Sequence, residues 1–169
     1  EYEFYHTTIA NYWGYSSRKT RSTASLVISN VLKVSNTSGG SDLHVNDLVK
    51  ATFGNCIVYG NNITEVELAK NTDKEFNYFF DHCILKLPET FNTSNKNNYN
   101  KVWKGINYDP LFIDPYEKFN YSLDSLSPAK DIGSFEYARI IQSDILKNDR
   151  FSDDGPDLGA YERFTKKNK

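Results

Sequence analysis

"FGNCIVYG" (residues 53–60) and "FDHCILKL" (residues 80–87) follow one template: an aromatic, two small or polar residues, a cysteine, then an isoleucine. An earlier stretch, Tyr5-His6-Thr7-Thr8-Ile9, lines up under the same template, with Thr in the place of Cys. Each continues into apolar-rich strand: Ala10-Asn11-Tyr12-Trp13, Val58-Tyr59-Gly60 and Leu85-Lys86-Leu87. The starts lie 48 and 27 residues apart. A period of roughly 20–30 residues is the mark of stacked coils. The wider gap holds Val34–Asp47, whose Asn-Thr-Ser-Gly-Gly-Ser-Asp core reads as an inserted loop. Two further strands, Ser25–Asn30 and Val66–Ala69, fall between the repeats. Stacked strands lie about 4.8 Å apart, so equivalent side chains should form ladders.

Cys56 and Cys83 share one repeat position and are expected to stack in the interior as small apolar residues. A disulfide between neighbouring coils and a metal pair are the alternatives. Two lone cysteines without a CxxC partner give little support to a metal. Asn30, Asn55 and His82 each stand where one strand gives way to the next, where stacked polar side chains can bond backbone groups. Asp81 and His82 could form a proton-transfer couple, but adjacent residues of a regular strand point to opposite faces.

Composition bounds the rest. The chain has 169 residues, enough for one domain with a real core. With 20 basic and 22 acidic residues and no basic stripe, it lacks the clustered cations that nucleic acid requires. No apolar run reaches the roughly 18–20 residues of a membrane helix, so no spanning segment is expected. Aromatics make up 15%, with 12 Tyr and 11 Phe, and Asn is abundant, a mixture that favours strands joined by turns. The chain has no methionine and opens on Glu1-Tyr2-Glu3-Phe4, so a segment of a longer protein is expected. An open first coil would expose unpaired backbone, to be covered by upstream coils or by another chain.

The tail reads differently. Asp109–Pro115 (DPLFIDP) brackets a short apolar strand between two Asp-Pro turns, and residues 135–147 (FEYARIIQSDILK) suggest a short helix with Tyr137, Ile140 and Ile141 as its apolar face. The order "DPLFIDP … NYSLDSLSPAKDIG … DILKNDR … DGPDLGAYE" resembles the carboxy-terminal region of secreted right-handed parallel β-helix proteins of Bacteroidetes, in the pectate-lyase-like superfamily. The upstream "FYHTTIANYW", "FGNCIVYGN" and "FDHCILKL" are similar to coils of the same proteins, so the likeness spans nearly the whole chain. One departure is the Asp144–Arg150 turn (DILKNDR), which lacks an acid and the glycine of the family's pattern. A left-handed residue there would have to be Asn148 or another geometry would be needed.

The resemblance implies a right-handed parallel β-helix, all-β with little helix: coils over 1–90, a polar excursion over 91–106 and a closing segment over 107–169. It implies an extracytoplasmic place, at the cell surface or outer membrane or secreted, with a polysaccharide as partner. The family includes lyases, hydrolases and binding proteins, so fold alone selects no reaction. A glycan-associated surface module is the first reading. Part of a lyase or glycosidase is the second, and a structural subunit of an outer-membrane complex the third. The candidate catalytic residues are Asp81, His82 and Lys86. The candidate ligand-binding aromatics are Tyr12, Trp13, Tyr15 and Tyr59, whose faces could stack on sugar rings. No cofactor is expected. Asp153, Asp154 and Asp157, beside Asp149, offer oxygen enough for Ca²⁺, but their spacing matches no calcium loop. In "SDDGPDLGAYER" (152–163) the Asp154-Gly155 pair reads more simply as a turn before a last strand. Four N-x-S/T sequons, at Asn36, Asn62, Asn92 and Asn120, are expected in an Asn-rich chain by chance.

Overall fold

The computed structural model describes residues 1–13 and 21–164. Among the described residues twelve strands run in chain order: β1 (Tyr2–Tyr5), β2 (Thr8–Asn11), β3 (Leu26–Ser29), β4 (Val31–Ser35), β5 (Ser41–Val45), β6 (Leu48–Gly54), β7 (Ile57–Gly60), β8 (Val66–Ala69), β9 (Phe76–Leu85), β10 (Tyr99–Lys104), β11 (Phe112–Asp114) and β12 (Asn120–Leu123). One 3-10 turn spans Ile106–Tyr108, and a six-residue helix α1 spans Phe135–Ile140.

The principal sheet has six parallel strands in the order β1-β6-β9-β7-β2, with β10 also on β9. It curls because β9 bends halfway: Phe76–Asp81 pair with β6, while Ile84 and Leu85 pair with β7. The bend lies at His82, whose φ is 49°. Its stacked neighbours His6, Asn55 and Lys101 have φ of 48°, 53° and 45°. Four left-handed residues in line turn four successive layers through the same corner. Asn and His tolerate this conformation better than most side chains.

This is not the single continuous right-handed β-helix expected from sequence. The curled parallel sheet stands with three separate two-stranded sheets, β3-β8 parallel, β4-β5 antiparallel and β11-β12 antiparallel. The physical reason is local. The inserted segment after β3 folds back on itself as the β4-β5 hairpin instead of stacking. The β3-β8 pair is only two strands deep, and the tail reverses direction at β11-β12.

The repeats do pair, with one register correction. Phe53 faces Phe80 and Ile57 faces Ile84, as aligned, but Phe4, not Tyr5, faces Phe53. Stacking explains the choice. The ring centroids of Phe4 and Phe53 are 5.0 Å apart, those of Phe53 and Phe80 4.6 Å, and Phe80 lies nearly parallel to Tyr99 at 6.1 Å. The interior core gathers Phe53, Phe80 and Tyr99 with Cys56, Cys83, Val58 and Leu85. Both cysteines are buried free thiols, bonding the Phe4 and Phe53 carbonyls at 3.3 Å, and burial holds the Cys83 thiol up.

A second core explains the tail. Ile57, Tyr59 and Ile84, on the outer face of the sheet, pack with Phe112, Leu123, Ala129 and Leu158. The carboxy-terminal segment therefore covers a side of the sheet. It is pinned there by long-range bonds: Thr8 Oγ1 accepts from the Ala160 N–H at 2.9 Å, and Gly159 N–H donates to the Asn55 carbonyl at 2.8 Å. Gly159 has φ 84°, and a Cβ there would run into Thr8 Oγ1 and Ile57. The run after Asp157 is irregular, not a final strand. Its buried anchors are Arg150, which bonds Glu162 at 2.8 Å, and Asp144, which accepts from Glu162 N–H at 2.9 Å. The left-handed residue of the Asp144–Arg150 turn is Lys147, at φ 71°. The short helix expected within 135–147 is α1, and of the expected apolar face of Tyr137, Ile140 and Ile141 only Tyr137 is buried. Residues 99–104, within the expected polar excursion, form β10.

Candidate functional site

A cleft of about 690 Å³ opens between the corner of β9 and β10 and the segment 131–139. His82, Lys101 and Trp103 form one wall, and Asp131, Ser134 and Arg139 belong to the other. Strand register puts Asn100 beside Asp81 and Trp103 beside Ile84.

The left-handed turn at His82 overrides the alternation of a regular strand. Asp81 and His82 consequently meet, Nδ1 to Oδ1 at 2.7 Å, although adjacent strand residues should diverge. The carboxylate is held on three sides: Asn100 Nδ2 donates to Oδ1 at 2.8 Å, and the Tyr137 hydroxyl donates to Oδ2 at 2.9 Å. Burial, then the Asp81 charge, pushes the Tyr137 hydroxyl up, so it stays a donor. Gly54 makes room for this ring, since a Cβ there would lie 2.5 Å from it. The result is an imidazole oriented by a fixed carboxylate, with Trp103 6.4 Å away between ring centroids. Such a pair can accept a hydrogen bond or move a proton.

The opposite wall is also positioned by a corner residue. Asn55, fully buried, accepts from Ser134 N–H at 2.7 Å and donates to Ser134 carbonyl at 2.8 Å. Ser134 then caps α1 by accepting from Glu136 N–H at 3.2 Å. Asp131 is pushed up by partial burial and by the nearby Asp153 and Asp154 carboxylates.

The other sequence candidates go elsewhere. Lys86 lies over the Tyr59 ring, 4.4 Å from its centroid, and donates to its hydroxyl at 3.0 Å. Tyr59 is buried, so it offers no face to a sugar. Tyr12 joins a separate aromatic group with Phe112, Tyr116 and Tyr121. Trp13 is 60% exposed, and Tyr15 lies outside the described residues. Asp157 is buried and pushed up to about 6 by that burial; its two oxygens accept from Asp131 N–H and Arg163 N–H. Asp153 and Asp154 stand close enough to Asp131 to raise it, and no group of metal-binding side chains is found among the described residues.

Trp103, Lys101 and Asn100 were missed in sequence because they follow the Asn-rich run 92–98, which reads as loop. The strand-favouring residues Tyr99, Val102 and Trp103 were the available signal. Among the described residues no helix is long and apolar enough to cross a membrane. No protein-family model, curated protein or solved structure matches this chain.

Proposed function

We propose that this protein binds a polysaccharide outside the cytoplasm, seating one sugar unit in the cleft beside Trp103. The observation that carries this reading is the meeting of an aromatic side chain with polar and charged ones in an open cleft: Trp103 lines it together with His82, Lys101, Arg139 and Asp131. Sugars present one apolar face and a rim of hydroxyls, and an indole with donors and acceptors around it matches both. Lys101 and Arg139 offset Asp131 and Glu136 in the cleft, which favours a neutral or mixed-charge glycan over a uniformly acidic one. The amino-terminal end belongs to the same proposal: Tyr2 and Phe4 on the β1 edge would be covered by a further polypeptide strand.

Affinity electrophoresis against neutral and acidic polysaccharides tests the binding. Retardation by at least one neutral glycan, reduced about two- to tenfold in Trp103→Ala, is the expected result, since one aromatic stacking contact is worth roughly 0.5–1.5 kcal/mol. Retardation unchanged in Trp103→Ala would place the ligand elsewhere. A second reading, glycan cleavage, is favoured by the Asp81–His82 bond at 2.7 Å. Reducing ends or unsaturated products that disappear in His82→Ala would support it. Neither binding nor turnover would leave the structural-subunit reading.

A further inference from the structure

A second cavity, of about 330 Å³, lies beside β11. Its walls are Tyr12, Phe112 and Tyr116, with Asp109, Asp114 and Ile113 at the rim. The rings meet at right angles. Tyr12 and Tyr116 are 5.1 Å apart between centroids at 86°, and Tyr12 and Phe112 are 6.1 Å apart at 80°. In each perpendicular pair one ring turns its edge to the face of the other, and all three rings border the cavity.

The carboxylates differ in their engagement. Asp114 accepts from Glu117 N–H at 3.1 Å and has Lys118 3.8 Å away. Asp109 accepts from Leu111 N–H at 2.9 Å, and no basic side chain pairs with it among the described residues. Its charge is felt in the aromatic group, where it helps raise the Tyr12 and Tyr59 hydroxyls. A carboxylate with no paired cation among the described residues, in a cavity bordered by three aromatic rings, is the arrangement that holds a positive group of low hydration.

We propose that Tyr12, Phe112, Tyr116 and Asp109 form a binding site for an alkylated ammonium group of the choline type. The chemistry excludes the obvious competitors. A hard divalent cation takes six or more oxygens, and two rim carboxylates fall short of that. An anion would face the quadrupole and Asp109 together. A trimethylammonium group spreads its charge over methyls that pack on ring faces, and it loses little hydration on entry.

The test is a titration of the whole chain with choline, followed by proton NMR shifts of the tyrosine rings. Its neutral isostere, 3,3-dimethyl-1-butanol, serves as the comparison. Saturable choline binding, about tenfold or more tighter than that of the isostere, is expected from a cation–π corner with one carboxylate. Tyr116→Ala should weaken it by about fivefold or more. Tyr116 is 41% exposed, so this variant is expected to fold, which circular dichroism checks. Asp109→Asn keeps the acceptor for Leu111 N–H and should weaken choline while leaving the isostere unchanged. Equal affinity for the two compounds, no saturation by choline, or full binding in both variants would each overturn the proposal.

Discussion

The Asn55 side chain makes two bonds to Ser134, at 2.7 and 2.8 Å, and meets the His6 ring at 3.0 Å, while its backbone stands at φ 53°. It thus serves the corner of the sheet and the wall of the cleft together. Asn55→Ala removes these bonds, strands the Ser134 groups and keeps the left-handed backbone. A loss of about 3 kcal/mol is expected in urea unfolding. Asn55→Gly relieves the backbone and should lose less; an alanine variant within about 1 kcal/mol of the parent would contradict this account. His6 is a pH-sensitive member of the same corner. Burial, and then the Arg150 charge, lowers its pKa from 6.5 to about 3, so the folded state keeps it neutral. The unfolded chain takes up that proton first as pH falls, so the contribution of His6 is complete above 6.5 and is lost as pH drops toward 3. The loss should approach about 1.4 kcal/mol per pH unit within the window. Urea midpoints between pH 6 and 4 should therefore fall less steeply in His6→Asn, which suits the left-handed backbone. Equal slopes would remove His6 from the explanation. Asp81 and His82 carry the same lesson for function. Both were legible as candidates, but their meeting was not, because strand alternation says nothing of a left-handed residue until the corner itself is known.

Strands repeat what residues begin. The pairing of residues 53–57 with 80–84 was legible from the shared Phe, Cys and Ile, and Val66–Ala69 matches β8 residue for residue. The first repeat was read one residue late, because Tyr5 and Phe4 are both aromatic and only three-dimensional stacking distinguishes them. The placement of His6 over Asn55 and His82 would have set the register, had the left-handed corner been recognised as the invariant of the template. Strand β10 was hidden by Asn-rich sequence on its amino-terminal side, and with it Trp103. The ladder Phe4–Phe53–Phe80–Tyr99 makes a graded prediction. Phe80 is fully buried between two rings, whereas Phe4 is 36% exposed at the edge. Phe80→Ala should cost about 3–5 kcal/mol by denaturant unfolding. Phe4→Ala should cost roughly 1–2 kcal/mol, since much of its ring is already in water. Equal losses would show that the ladder is not the organising contact.

At the scale of the molecule, one side is finished and one end is not. The all-β class was legible from composition, but the continuous solenoid was not realised, because the insertion after β3 and the tail each satisfy their backbone in antiparallel pairs. That tail closes the outer face of the sheet through Thr8, Asn55 and Asp81, contacts between residues up to 152 apart in sequence. Among the described residues the amino-terminal end has no such cover. Among the described residues strands β1, β2 and β3 each have a single partner strand, so each presents one edge that no described strand pairs. Tyr2 and Val27 on these edges are 60% and 48% exposed, and an apolar groove runs between them to Phe53. Such edges template further pairing unless charge or proline blunts them. The near-neutral balance of 20 basic and 22 acidic residues provides little general repulsion against it. The chain should therefore self-associate with rising concentration, seen as increasing sedimentation coefficients over a hundredfold range. Tyr2→Lys and Val27→Lys place a charge on the β1 and β3 edges at exposed positions, and together they should shift the association to at least tenfold higher concentration. Sedimentation as a monomer throughout, or association unmoved by both lysines, would show that these edges do not drive contact.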